Sequence, residues 1–318
     1  MRVTNIMIGN SLIRHINSNL NNLSRTHEQL STGKTILRPS DNPTDISQLL
    51  AIKAQKEINK QYTKNINDGL AYLYTADAAL GTLGDIVSQA NAMGVQGANG
   101  TLAQEDMQAL AMQIDKMIDQ VVDIANVTVG GKYLFAGKTN DKPPFIRFEG
   151  QDVIVYQGDL DRIYREIANL SEHTVDAPGV LDNSSGSMGV FGNVNGAELE
   201  GDKAAKVSGG LFDALFALRD ALYSGNHEAV DSMLGEMQSQ LDNVLQHRVT
   251  VGARTRHFEA IKDQMIDQEI RLEQVEENLH SADIARLTID LSQQQLVYQT
   301  ALASGATILQ VSLLNFLK

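Results

Sequence analysis

Residues 6–30 read IMIGNSLIRHINSNLNNLSRTHEQL, and the spacing of their apolar side chains decides the fold. Ile6, Gly9, Ile13, Ile16, Leu20, Leu23, His27 and Leu30 recur by threes and fours, which sets them on one stripe of an α-helix. The positions between them are mostly Asn, Ser, Arg or Gln. Such a helix has one sticky face and needs a partner. His27, lying in the stripe, reads as a packed side chain rather than a ligand.

Working outward, Gly33 is a good helix stop because glycine tolerates the left-handed conformation past a C-terminus. The loop Lys34-Thr35-Ile36-Leu37-Arg38-Pro39-Ser40-Asp41 follows. Asn42 then caps a new helix with Pro43 at its first position and Asp45 in its first turn. Ile66, Leu70, Leu73, Ala76, Leu80, Leu83 and Val87 carry that helix towards residue 93. A helix of about fifty residues is roughly 75 Å long, which implies a rod. Gly94, Gly97 and Gly100 predict a turn, and a third helix is expected over 102–129.

Beyond residue 144 the period changes. Phe145-Ile146-Arg147-Phe148 and Val153-Ile154-Val155-Tyr156 read as a β-hairpin, Arg162 to Ile167 as a further strand, and 171–203 as loop with short strands. Helix resumes near 205 with Leu211, Leu215, Leu218 and Leu222, and turns at Ser224-Gly225-Asn226. A second long helix carries Val230, Leu234, Met237, Leu241, Val244, Val251, Phe258 and Met265. Its phase breaks at Ser281-Ala282-Asp283, where Ile284, Leu287, Leu291, Tyr298, Ala301 and Ile308 open a last, weakly charged helix.

The expected fold is therefore mainly α: a long helical coiled-coil bundle formed by the N- and C-terminal segments, with a small β-rich inserted domain. Residues 1–40 and 284–318 form the terminal coiled-coil domain, 41–144 and 204–283 the long-helix rod, and 145–203 the β-rich insertion. Ile6, Ile13, Ile16, Leu20, Leu23 and Leu30, with Ile284, Leu287, Leu291, Tyr298 and Ile308, make a candidate assembly seam. Two such helices meeting alone bury little against the entropy of ordering them. Both termini are accordingly expected to be poorly ordered in the free monomer and to fold on assembly.

Composition excludes several function classes. A net charge of −13 repels nucleic acid, so no nucleic-acid partner is expected. Zero Cys removes disulfides, thiolate nucleophiles and Cys-type metal sites. Aromatic content of 5% argues against an aromatic-filled core or a deep ligand pocket. The N-terminus shows no apolar signal-peptide region, and no apolar run is long enough for a membrane span.

No catalytic constellation emerges, and no enzyme, cofactor or metal is expected. The seven His are scattered. Asp159-Leu160-Asp161 starts like a calcium loop, but Arg162 and the missing Gly break it. Glu198, Glu200 and Asp202 read as a solvated loop. Ser184-Ser185-Gly186-Ser187 lacks the glycines on both sides of Ser that a nucleophile elbow needs. Gly94, Gly97 and Gly100 lack the preceding strand and following Lys of a phosphate loop.

Leu30-Ser31-Thr32-Gly33-Lys34 followed by Arg38-Pro39-Ser40-Asp41-Asn42-Pro43 resembles the flagellin superfamily in its junction-protein form. Flagellins usually carry an Asp-Asp-Ala-Ala-Gly-type sequence where this chain has Asp41-Asn42-Pro43. Tyr133-Leu134-Phe135-Ala136-Gly137 with Pro144-Phe145, and Ser281-Ala282-Asp283-Ile284, look like the same family. The resemblance covers about residues 1–145 and 205–318. It implies a structural subunit of the bacterial flagellum, exported unfolded through the flagellar type III apparatus with a probable export chaperone. It also implies an extracellular homo-oligomeric ring between hook-associated protein 1 and flagellin. The terminal coiled coil would line the inner tube and the β insertion the outer surface. The runner-up readings are a divergent flagellin filament subunit and a secreted coiled-coil effector or tip protein.

Overall fold

The computed structural model describes residues 2–148, 152–169, 171–199 and 204–314; among these, the described side chains are Met7 and those from Gly9 to Ala306. The chain is mainly α. Among the described residues the α-helices run α1 (Arg2–Thr32), α2 (Pro43–Ala98), α3 (Gln104–Ala125), α4 (Leu211–Tyr223), α5 (His227–His280) and α6 (Ile284–Leu314). Between α3 and α4 the described residues form short strands: β1 (Thr128–Val129), β2 (Lys132–Tyr133), β3 (Phe145–Arg147), β4 (Ile154–Tyr156), β5 (Tyr164–Ala168), β6 (Ser171–Thr174), β7 (Val180–Asp182), β8 (Gly192–Val194) and β9 (Ala205–Lys206). The chain divides into two compact units, Met1–Asn59 with Asp267–Lys318, and Lys60–Ile266.

In the larger unit the helices bury the stripes their periodicity marks. α2 buries Ile66, Leu73, Ala76, Leu80, Leu83 and Val87, and α3 buries Met107, Ile114, Ile118 and Val121. α5 buries Val230, Met237, Val244, Val251, Phe258 and Met265, one residue in every seven, which is the signature of a helix packed along a heptad seam. Cross-links on the rim accompany this packing: the Tyr74 hydroxyl donates to Glu259 at 2.6 Å, and Arg248 Nε to Asp77 at 3.1 Å.

The turn expected at Gly94 and Gly97 is not there. α2 runs on to Ala98, and only Gly100 lies in the turn. The two helical glycines instead admit close neighbours, since a Cβ at Gly94 would meet Leu234 Cδ2 at 2.7 Å and one at Gly97 would overlap Leu222. α3 also ends at Ala125, before the expected 129, because the β1–β2 ribbon starts at Thr128. Glycine spacing does not separate a turn from a close helix crossing.

The inserted hairpin forms as its alternation predicts, with Phe145 opposite Tyr156, Ile146 opposite Val155 and Arg147 opposite Ile154. β9 joins β4 as the third strand of that antiparallel sheet, whereas β7 and β8 pair in parallel. The low aromatic content conceals a concentrated aromatic core. Phe145 packs on Phe191 at 4.9 Å, Tyr156 at 5.1 Å and Phe212 at 5.9 Å between ring centres, and Phe135 meets Phe191 edge-on at 5.2 Å. The buried Tyr156 hydroxyl reaches the carbonyls of Phe135 and Asp159 at 3.1 and 2.8 Å. A small number of rings suffices when they gather at one place.

Two arginines join the insertion to the helices. Arg147 of β3 pairs with Asp115 and Asp119 of α3, both at 2.5 Å. Arg219 of α4, 8% exposed, pairs with Asp115, Asp152 and Asp220 at 3.2, 2.7 and 2.6 Å. Its guanidinium also lies over the Phe216 ring at 5.1 Å. A charge so buried is tolerable only with partners on several sides.

Because Phe145 is fully buried and touches three rings, Phe145→Ala should destabilise the larger unit by about 3–5 kcal/mol. Urea unfolding followed by near-ultraviolet circular dichroism measures this; a loss below about 1 kcal/mol would show that the aromatic cluster does not hold the insertion.

Candidate assembly surface

α1 and α6 pack against each other in the smaller unit. On α1 the inward rows are Gly9, Ile16, Leu23 and Leu30, with Leu12, Asn19 and Thr26 beside them. On α6 they are Leu287, Asp290, Leu291, Gln294, Tyr298, Ala301 and Gly305. Gly305 is the close point, where a Cβ would come within 2.8 Å of Leu12 Cδ2. The pair also encloses a cleft of about 240 Å³ lined by Asn19, Asn22, Asp290, Gln293, Gln294 and Val297. The buried Gln294 Oε1 accepts no hydrogen bond among the described residues. A polar residue in a seam costs stability but fixes register.

The residues singled out from the sequence fall into two groups. Ile16, Leu23, Leu30, Leu287, Leu291 and Tyr298 lie half-buried between the helices. Ile13 and Leu20 are exposed, at 55% and 44%, and so is Ile284 at 49%. The side chains of Ile6 and Ile308 lie outside the described residues. The division has a geometric cause. Gly9, Ile16, Leu23 and Leu30 share one heptad position, and the flanking row sits either three residues on (Leu12, Asn19, Thr26) or four (Ile13, Leu20, His27). The polar-flanked row faces α6, and the greasier one faces out. Sequence reasoning chose the aliphatic row and so missed Leu12, Asn19 and Thr26; Leu12 was the available signal. α6 repeats the pattern, leaving Ile289 and Leu296, one heptad apart, 67% and 64% exposed.

The motif loop is held from both ends. Gly33 takes a left-handed φ of 68° and its N–H bonds the Gln29 carbonyl at 2.9 Å, ending α1. Gly33 and Thr35 then bond across to the turn after α5: Ala282 N–H to Gly33 carbonyl at 3.0 Å, Thr35 N–H to His280 carbonyl at 2.7 Å. Asp41 organises the rest, accepting the N–H groups of Leu37 and Arg38 at 3.1 and 2.9 Å while Arg25 of α1 pairs with its other oxygen at 3.0 Å. Arg38 pairs with Glu28 at 3.2 Å. The Asn42 side chain caps α2 by accepting from the N–H groups of Thr44 and Asp45, both at 3.3 Å. Pro39 and Ser40 are exposed at the tip, and Pro43 opens α2. Lys56 and Glu276 pair at 2.7 Å, tying the start of α2 to the end of α5.

The other candidates resolve into structure. Asp159 accepts the N–H groups of Lys138, Thr139 and Asp161, so its carboxylate shapes a loop. Glu198 accepts from Asn195 at 3.2 Å; Glu200 and Asp202 lie outside the described residues. Among the described residues no cluster of three metal-ligating side chains occurs, and no helix is long and apolar enough to cross a membrane.

Residues 3–140 match the family described as the bacterial flagellin N-terminal helical region, so this part of the chain is a flagellin-type N-terminal region. Beyond that region, the likeness extends to flagellar hook-associated protein 3. The Escherichia coli protein of that name is 25% identical, with 82% of each chain covered. The Salmonella typhimurium one is 23% identical over 94% of this chain and 96% of its own. A crystal structure of flagellar hook-associated protein 3 from Legionella pneumophila superimposes with a TM-score of 0.57 at 16% identity, covering 73% of this chain and 99% of that one, and shares the fold.

The backbone N–H groups of Arg38 and Leu37, with the Arg25 guanidinium, hold the Asp41 carboxyl below its ordinary range. A depressed carboxyl stabilises the loop above its unfolded value, about 3.9, and that contribution disappears as pH falls through the folded value. Hydrogen exchange at the Leu37 and Arg38 amides should therefore stay slow, after correction for intrinsic rates, from neutral pH to about 4 and quicken below. Asp41→Asn should remove that acid step; an unchanged profile would contradict the assignment.

Proposed function

We propose that this chain is the junction subunit that joins the flagellar hook to the filament, a structural protein without catalytic activity. The observation that carries the reading is similarity to hook-associated protein 3 along nearly the whole length, through the central β-rich region as well as the terminal helices. The assigned division is a terminal coiled-coil domain (1–40 and 284–318), a long-helix domain (41–144 and 204–283) and an outer β-rich domain (145–203). The partners are further copies of the chain in a ring, hook-associated protein 1 beneath, flagellin above, and an export chaperone before secretion. The location is the extracellular flagellum.

The terminal helices suit this role because their faces remain incomplete. No large apolar side chain of α1 or α6 is fully buried among the described residues, and Ile13, Leu20, Ile289 and Leu296 face outward. A subunit that stacks into a tube buries such rows against its neighbours; a solitary protein gains nothing from them. The free chain is accordingly loose at both ends and orders them on docking.

Deleting the gene should leave cells with hooks but without filaments, with flagellin spilling into the medium, and re-expression should restore filaments. Cells that keep normal filaments would reject the role. Purified protein that grows long filaments from filament seeds would instead make it a flagellin.

A further inference from the structure

A cleft of about 360 Å³ in the larger unit lies between the middle of α5 and the loops around β7. Its walls include Arg162, Arg254, His247, Asn243, Gln246 and Thr250. The charges there do not balance. Arg162 directs its Nε at both carboxylate oxygens of the buried Asp176, at 3.2 and 3.1 Å. That single carboxylate is the only acid among the described residues to pair with either arginine, and it pairs with Arg162. Arg254 donates to the main-chain carbonyl of Asp176 at 2.7 Å and forms no ion pair among the described residues. A guanidinium has five N–H donors, and this bond uses one.

The surroundings sharpen the imbalance. His247 Nε2 lies 3.0 Å from the Met188 carbonyl, which can only accept, so that nitrogen carries the proton. Burial first, then the charges of Arg162 and Arg254, keep the ring below its ordinary range, hence neutral near pH 7. Burial and the adjacent Arg162 also weigh against the charge on Arg254. With Asp176 counted against the two arginines, the cleft holds one positive charge in excess, although the chain carries −13 overall. A half-buried cation with idle donors is costly unless something anionic meets it. Gln246 and Asn243 add amide groups along the same wall; Asn243 already gives one N–H to the Gly189 carbonyl at 2.9 Å, and the Thr250 hydroxyl is committed to the Gln246 carbonyl at 3.0 Å.

We infer that this cleft is an anion site that takes a carboxylate- or sulfate-type group on Arg254, with Arg162 alongside. The group is either a free oxyanion or an acidic side chain presented by a second copy of the chain. Guanidinium recognises both through the same paired N–H donors.

Sodium sulfate, titrated into dilute full-length protein against sodium chloride of equal ionic strength, tests the free-ion arm. The readout is the nuclear magnetic resonance signals of the His247 ring and the Arg254 Nε. Saturable sulfate-specific shifts are expected, weakened about tenfold or more in Arg254→Gln and by less in Arg254→Lys, which keeps the charge. Circular dichroism establishes that both variants fold, and Asp77→Asn, which touches a different arginine, serves as a control that leaves the shifts intact. If sulfate moves nothing, the protein-concentration series decides. Shifts that grow with concentration in the wild type and vanish in Arg254→Gln identify the acidic side chain of a second copy. Equal sulfate response in wild type and Arg254→Gln marks an adventitious ion only, and that result, or no response in either series, overturns the site.

Discussion

The pairing of α1 with α6 is the constraint on which the smaller unit depends. It joins two helices far apart in sequence, so α1 has no partner until α6 has been made. Each is amphipathic, and each alone exposes a continuous apolar row to water. Together they shield one row apiece and leave a second uncovered. The seam between them is only half-buried, has Asn19 and Gln294 beside its cleft, and narrows where Gly305 meets Leu12. That construction suits a surface meant to be finished by other molecules better than a self-sufficient core.

The larger unit is built on the opposite principle. Its helices bury their stripes fully, its aromatic residues are concentrated at the β-rich insertion, and Arg147 and Arg219 bind the insertion to α3 and α4 through Asp115, Asp119 and Asp152. An insertion fixed so firmly keeps a stable surface whatever the state of the chain ends. The Asp41 loop stands between these regimes in character: a short, hydrogen-bonded turn rather than a packed core, connecting two helices of the smaller unit.

Much of this was legible in the residues because periodicity reports burial directly. Gly33 and Gly225 marked helix ends through their left-handed backbone and Asn42 through its capping side chain, and the seven-residue spacing from Val230 to Met265 marked the buried line of α5. What stayed hidden had a common cause: several placements satisfy the same local pattern. Gly94 and Gly97 fit either a turn or a helix crossing. Ile13 and Leu20 fit a seam as well as Leu12 does, and only the position of α6 chooses between the rows. The clustering of Phe135, Phe145, Phe191 and Phe212, and the meeting of Arg219 with Asp115 and Asp152, are long-range events that local sequence does not encode.

The most direct test is hydrogen–deuterium exchange on α1 and α6, compared between the free chain and the same chain incorporated into hooks. Fast exchange of both helices when free, with strong protection of the segments bearing Ile13, Leu20, Ile289 and Leu296 after incorporation, is the expected result. Equal protection in the two states would mean that the terminal pair is already complete in one molecule, and the account of an unfinished surface would be wrong.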